Sequence, residues 1–270
     1  MNSFDLIIKH DLEEEDAAEI LVNGFIDDKS YQFLFDTGAN TTRVRNDDYI
    51  NRFESFGSKD TYGVFSKMKN ESIIVPKFTL GPMEKTDFQM YRYDQDSTAH
   101  NIIGMDFLHD HSYYFNFIEN KVEIDKEVCE DLEFFDLHIG NKVKPYVDAF
   151  LGETKVSAIW DTGAGITVVD SSIVQKYPEY FERINDVQGT DSTGASTTTP
   201  MYMMQSMIIG NYQFPTLKVI EIDLSSLNEK LEKPMEIILG YNSLNKANWL
   251  LDFVNRKWSI LKMNTNEKNI

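Results

Sequence analysis

Short apolar runs bounded by polar or glycine-bearing turns recur along the chain, a spacing that predicts strands. In the first half they fall at residues 4–8, 19–26 and 31–35, with Asp27-Asp28-Lys29 as a hairpin turn between the last two. The second half repeats the plan at residues 135–139, 147–151 and 156–160, with Gly152-Glu153 as the turn. Residues 72–76 and 77–81 alternate as the strands of a hairpin, following a polar stretch that runs to Gly63. Near the end of each half, residues 113–117 and 122–124, and then 248–253 and 258–261, form a further strand pair around a polar turn. A short helix is expected to begin at Asp106 and again at Asn242. The acidic run 11–16 fits a solvated loop and is assigned no chemistry.

The two halves share more than a strand plan. Phe35-Asp36-Thr37-Gly38-Ala39-Asn40 returns as Trp160-Asp161-Thr162-Gly163-Ala164-Gly165, at an offset of 161 − 36 = 125 residues. At that offset Val22 falls on Val147, Phe25 on Phe150, Thr42 on Thr167 and Val44 on Val169. One Asp-Thr-Gly would pass as turn chemistry, because Asp and Thr bond nearby backbone and Gly accepts unusual dihedrals. Two copies, each closing an apolar strand and each keeping the same downstream Thr and Val, make a duplicated structural unit whose acidic residues sit at the edge of a core.

Asp-Thr-Gly-Ala with these flanks resembles the active-site signature of aspartic proteases, and the alanine after the glycine is closer to retropepsins than to pepsins. An apolar-apolar-Gly segment follows each copy, Ile102-Ile103-Gly104 in the first half and Ile238-Leu239-Gly240 in the second. The resemblance implies an all-β fold of two retropepsin-like barrel lobes, residues 1–127 and 128–270, related by an internal pseudo-twofold, with a short helix after each apolar-apolar-Gly segment. It implies Asp36 and Asp161 as a catalytic pair, and Thr37 and Thr162 as ties between the two loops. It places a flap in each half, with Tyr62 and Gly63 at one tip and Thr193 and Gly194 at the other. The second copy departs from the usual pattern at Trp160 and Gly165.

Two close carboxyls cannot both ionise readily, so they share a proton, and one can take a proton from water while the other donates to a carbonyl. Gly38 and Gly163 admit backbone close to a carboxylate. Ala39 and Ala164 offer no hydroxyl to lower its pKa, which favours activity at weakly acidic to neutral pH. Peptide hydrolysis is the expected activity, with a catalytically silent peptide-binding module as the rival. A two-carboxylate glycosidase would not call for a repeated motif.

Composition narrows partners. A net charge of −18 disfavours nucleic acid and anionic membranes and favours neutral or basic peptides. No cofactor and no metal is expected; His109-Asp110-His111 has no matching ligand pair elsewhere, and Gly189-Thr190-Asp191-Ser192-Thr193-Gly194 lacks the lysine of a phosphate loop. A single cysteine, Cys129, forms no internal disulfide and is not expected to be a nucleophile. With no leader-like start and no long apolar run, the expectation is a cytoplasmic monomer that carries both halves of one site.

Overall fold

The computed structural model describes residues 2–95, 97–127, 132–140 and 143–264; Cys129 and most of the segment expected to join the halves lie outside them. Strands dominate, and the α-helices among the described residues span only four to six residues. None is long and apolar enough to cross a membrane.

The strands form three sheets, of eight, ten and six members. The eight-stranded sheet belongs to the first half and the ten-stranded sheet to the second, and they share one pairing plan. The strand that ends at each motif, Lys29–Phe35 or Thr154–Trp160, pairs antiparallel with its predecessor, Ala18–Ile26 or Pro145–Leu151. On its other side it pairs parallel with the short apolar strand Ile102–Ile103 or Ile237–Leu239. That short strand then pairs antiparallel with Arg43–Arg45 or Thr167–Asp170. Flanked on both edges and buried, it explains why both apolar-apolar-Gly segments carry branched aliphatics.

The third sheet joins the halves. Its order is Ser3–Asp5, Lys121–Ile124, Ser112–Asn116, Ala247–Asp252, Lys257–Met263 and Phe135–Asp136. Its centre is a pairing between halves, with Tyr113 opposite Leu251 and Tyr114 opposite Leu250. Aromatic rings from the two motif strands pack on this sheet: Phe35 lies 5.8 Å from Phe115, Phe115 lies 4.7 Å from Trp160, and Trp160 lies 6.0 Å from Trp249. The bulky Trp160 is therefore core, the counterpart of Phe35, with its indole N–H left without a partner.

Several expectations need correction, among them residues 135–139, which divide into Phe135–Asp136 in the shared sheet and His138–Ile139 in the ten-stranded one. Residues 4–8 are not one strand: Ser3–Asp5 joins the shared sheet and Ile7–His10 the eight-stranded one, with the chain switching sheets at buried Leu6. The polar stretch before Gly63 contains a strand, Gly57–Tyr62, and residues 72–80 are not two strands but the end of one long strand, Lys67–Leu80. Gly57–Tyr62 is almost wholly exposed, so no apolar alternation marks it. Pro76 does not break the long strand because it is exposed and falls at a position where the ladder to Met83–Tyr93 is skipped. The acidic run is not merely solvated: Glu14 accepts from Lys218 Nζ at 2.8 Å, tying the N-terminal loop to the second half.

Candidate active site

Both motif loops are held by the same local devices. Asp36 N–H donates to the Ile103 carbonyl at 3.0 Å, and Asp161 N–H to that of Leu239 at 3.1 Å. The carbonyls of Ala39 and Ala164 accept, each at 2.9 Å, from Met105 and Tyr241, the first residues of the short helices Met105–Leu108 and Tyr241–Leu244. Thr42 donates through N–H and hydroxyl to the Asp106 carboxylate at 2.9 and 2.7 Å, and Thr167 does the same to Asn242 Oδ1 at 2.8 and 2.7 Å. A side chain at Gly104 would strike the Thr41 backbone, and one at Gly240 the Ile166 backbone. Each apolar-apolar-Gly segment thus acts as a rear brace for its loop.

The loops meet face to face through their threonines. Thr37 Oγ1 donates to the Trp160 carbonyl at 2.8 Å and accepts from Thr162 N–H at 3.1 Å, while Thr162 Oγ1 accepts from Thr37 N–H at 3.0 Å. Both threonines are buried, so these bonds have no water to replace them.

This lock brings Asp36 and Asp161 together. The Asp161 Oδ1 accepts from Gly38 N–H at 3.1 Å, across the interface, and from Gly163 N–H at 2.8 Å. A side chain at Gly38 would collide with the Asp161 carboxylate, and one at Gly163 with that of Asp36. The glycines therefore make room for the carboxyl of the opposite loop. Burial, and then the charge of Asp161, push the Asp36 carboxyl up to about 7, while Lys144 and Arg43 hold it down. Burial also raises Asp161, against Lys144, the two glycine N–H groups and a hydrogen bond with Asp36. Two buried carboxyls this close do not both ionise readily, so the pair holds on to protons above the ordinary carboxylate range. Such a pair can accept one proton and deliver another.

The two expected tips meet each other. The first hairpin, Gly57–Tyr62 with Lys67–Leu80, turns at residues 63–66; the second, Phe181–Thr190 with Ser196–Met204, turns at residues 191–195. Asp191 fastens one to the other, its Oδ2 accepting from Phe65 N–H at 2.7 Å and Ser66 N–H at 3.3 Å, while its Oδ1 accepts from Thr193 N–H at 2.9 Å. Gly63 is required because a side chain there would run into Asp191 and Thr193, and Gly194 sits at φ +85°, where only glycine is comfortable. Tyr62 is exposed at the end of its strand, with Lys230 Nζ 3.9 Å above its ring.

Four residues here were not picked out from the sequence. Lys144 Nζ donates to the Gly38 carbonyl and sets a cation beside both carboxyls. Its repeat counterpart is Glu19, so symmetry gave no hint of it. Asp191 and Phe65 are loop residues whose partners lie in the other half. Arg43 had a visible signal: Thr42-Arg43-Val44 aligns with Thr167-Val168-Val169, a charge where the repeat has an aliphatic. His109 and His111 pair with Asp110 and Asp125, away from the dyad. No group of His, Cys, Asp and Glu among the described residues is arranged to hold a metal. No protein-family model matches the chain, and no curated protein matches it.

Proposed function

We propose that this chain is a single-chain aspartic endopeptidase, its halves 1–127 and 128–270 acting as retropepsin-like lobes and its two hairpins as flaps over a bound peptide. The observation that carries this is the locked, buried pair Asp36 and Asp161, built from two copies of one loop, together with two hairpins whose tips meet. Water held between the carboxyls would lose a proton to ionised Asp161 as its oxygen attacks the scissile carbonyl carbon. Protonated Asp36 would donate to the carbonyl oxygen, so that a neutral tetrahedral diol forms. Collapse of that diol breaks the C–N bond: the proton on Asp161 passes to the departing nitrogen, and a diol hydroxyl returns its proton to Asp36. Water and amide become acid and amine, and the pair ends with the single proton it began with.

Asp36→Asn and Asp161→Asn test this. Each should abolish cleavage of a peptide library between about pH 3 and 8, the range spanned by free and raised carboxyls, while peptides still bind. If the unaltered protein binds peptides and cleaves none, it is a binding module; if only one substitution is inactivating, the halves do not share one site.

A further inference from the structure

The two walls flanking the dyad are built at equivalent positions but from unlike residues. In the second half, Val168 packs with Ile159, Ile238 and Ala164 in one apolar cluster. In the first half the matching residues Leu34, Ile102 and Ala39 also cluster, but the position of Val168 is taken by Arg43. Register confirms the match: Arg43 pairs with Ile102 and Tyr91, and Val168 with Ile238 and Ile220, in the same antiparallel and parallel senses.

The hairpin tips follow the same division. Val64 and Phe65, at the tip of the first hairpin, pack on the apolar wall of the second half. The polar tip of the second hairpin reaches the first wall, where Arg43 Nη2 donates to the Ser192 carbonyl at 2.5 Å and Nη1 to Thr61 Oγ1 at 3.3 Å. Arg43 is only 5% exposed, its Nε has no hydrogen-bond partner, and among the described residues no carboxylate pairs with it. Asp36 and Asp191 act on it only at longer range. A buried guanidinium satisfied by neutral oxygens, with a free donor, is costly unless an anion completes it.

We propose that Arg43 is a specificity residue that receives an acidic side chain, glutamate or aspartate, of the bound peptide on the wall of the first half, while the Val168 wall receives an apolar one. This rests on the peptide-cleft reading above. The overall charge of −18 favours basic partners at long range, but at contact distance, in a site away from water, one bidentate guanidinium outweighs screened surface charge. Opening of the tips to admit peptide releases the Ser192 carbonyl from Arg43, and a substrate carboxylate would replace a neutral acceptor with a charged one.

The test uses peptides that carry Glu, Gln or Leu in turn at each of the three positions on either side of the cleaved bond, assayed with the unaltered protein, Arg43→Val and Arg43→Lys. At one position the unaltered protein should prefer Glu to Gln by about tenfold or more in kcat/KM, the scale of a charge-assisted hydrogen bond. Arg43→Val should shift that ratio toward Leu, and Arg43→Lys should retain part of the Glu preference. Equal use of Glu and Gln by the unaltered protein, or equal losses on every peptide in Arg43→Val, would make Arg43 a hairpin tether and overturn the proposal. The same peptides are titrated against Asp36→Asn and the double variant Asp36→Asn, Arg43→Val. An Arg43-dependent preference for Glu in binding, without any turnover by the unaltered protein, would uphold the subsite and sink the protease reading. Turnover without that preference does the reverse, and absence of binding sinks both.

Discussion

Asp36 titrates high because folding takes it out of water and sets it beside a second carboxyl, and this has a consequence for stability as well as for chemistry. A carboxyl whose folded pKa exceeds its unfolded value of about 4 holds an extra proton only when folded. The stabilisation from that proton is complete below about pH 4 and is lost as pH rises through about 7. Asp36→Asn cannot lose a proton, so its advantage in thermal unfolding over the unaltered protein should grow between pH 4 and 7; an advantage that shrinks over that interval would contradict the raised pKa. Lys144 acts in the opposite direction on both carboxyls. Lys144→Met should move both limbs of a bell-shaped rate profile to higher pH, and an unmoved profile would remove Lys144 from the electrostatics of the pair. Asp36, Asp161, their threonines and their glycines were legible in the sequence because the same contact had to be written twice. Lys144 was not, since a lysine near a carboxylate leaves no periodic or repeated mark and its reach across to Gly38 depends on tertiary geometry.

Among the elements, the strands with a buried face were legible and those without one were not. Ala18–Ile26 and Thr154–Trp160 alternate or run apolar because one or both faces are covered. Gly57–Tyr62 has almost no covered face, and only its ladder to Lys67–Leu80 makes it a strand. The six-stranded sheet was visible as two separate strand pairs but not as a junction, since nothing in the local pattern says that Tyr113 will sit opposite Leu251. The hairpin tips depend on a single acceptor, Asp191, for the bonds from Phe65 and Ser66. Asp191→Ala should therefore raise hydrogen exchange at residues 63–66 and 191–195 by about tenfold, the worth of a hydrogen bond to a charged group. Protection unchanged at both tips would show that Phe65 packing, the Ser66–Thr193 hydroxyl pair and the bond from Arg43 to Ser192 hold them down without Asp191. Trp160→Ala, in contrast, removes a fully buried indole from the floor beneath both loops and should cost about 3–5 kcal/mol in denaturant unfolding.

At the scale of the whole molecule, the site and the junction sheet impose the same arrangement. The threonine lock needs both loops, the loops rest on Phe35 and Trp160, and those rings pack on a sheet whose central strands come one from each half. Separating the halves would expose Phe115, Trp249 and the edges of Ser112–Asn116 and Ala247–Asp252 together, so neither half has a stable intermediate in which only the site is lost. The outer edges of that sheet are short, three residues at Ser3–Asp5 and two at Phe135–Asp136, which gives a second copy of the chain little ladder to extend. With both acids supplied in one chain and the joining sheet closed within it, light scattering should give the mass of a single chain at every concentration tested. Calorimetry should show one unfolding transition, and Trp160→Ala should lower that one midpoint without splitting it. Two resolved transitions would mean that the halves are independent units and that the Tyr113–Leu251 pairing does not couple them. A stable dimer that dissociates only on loss of cleavage would mean that the working site is shared between chains.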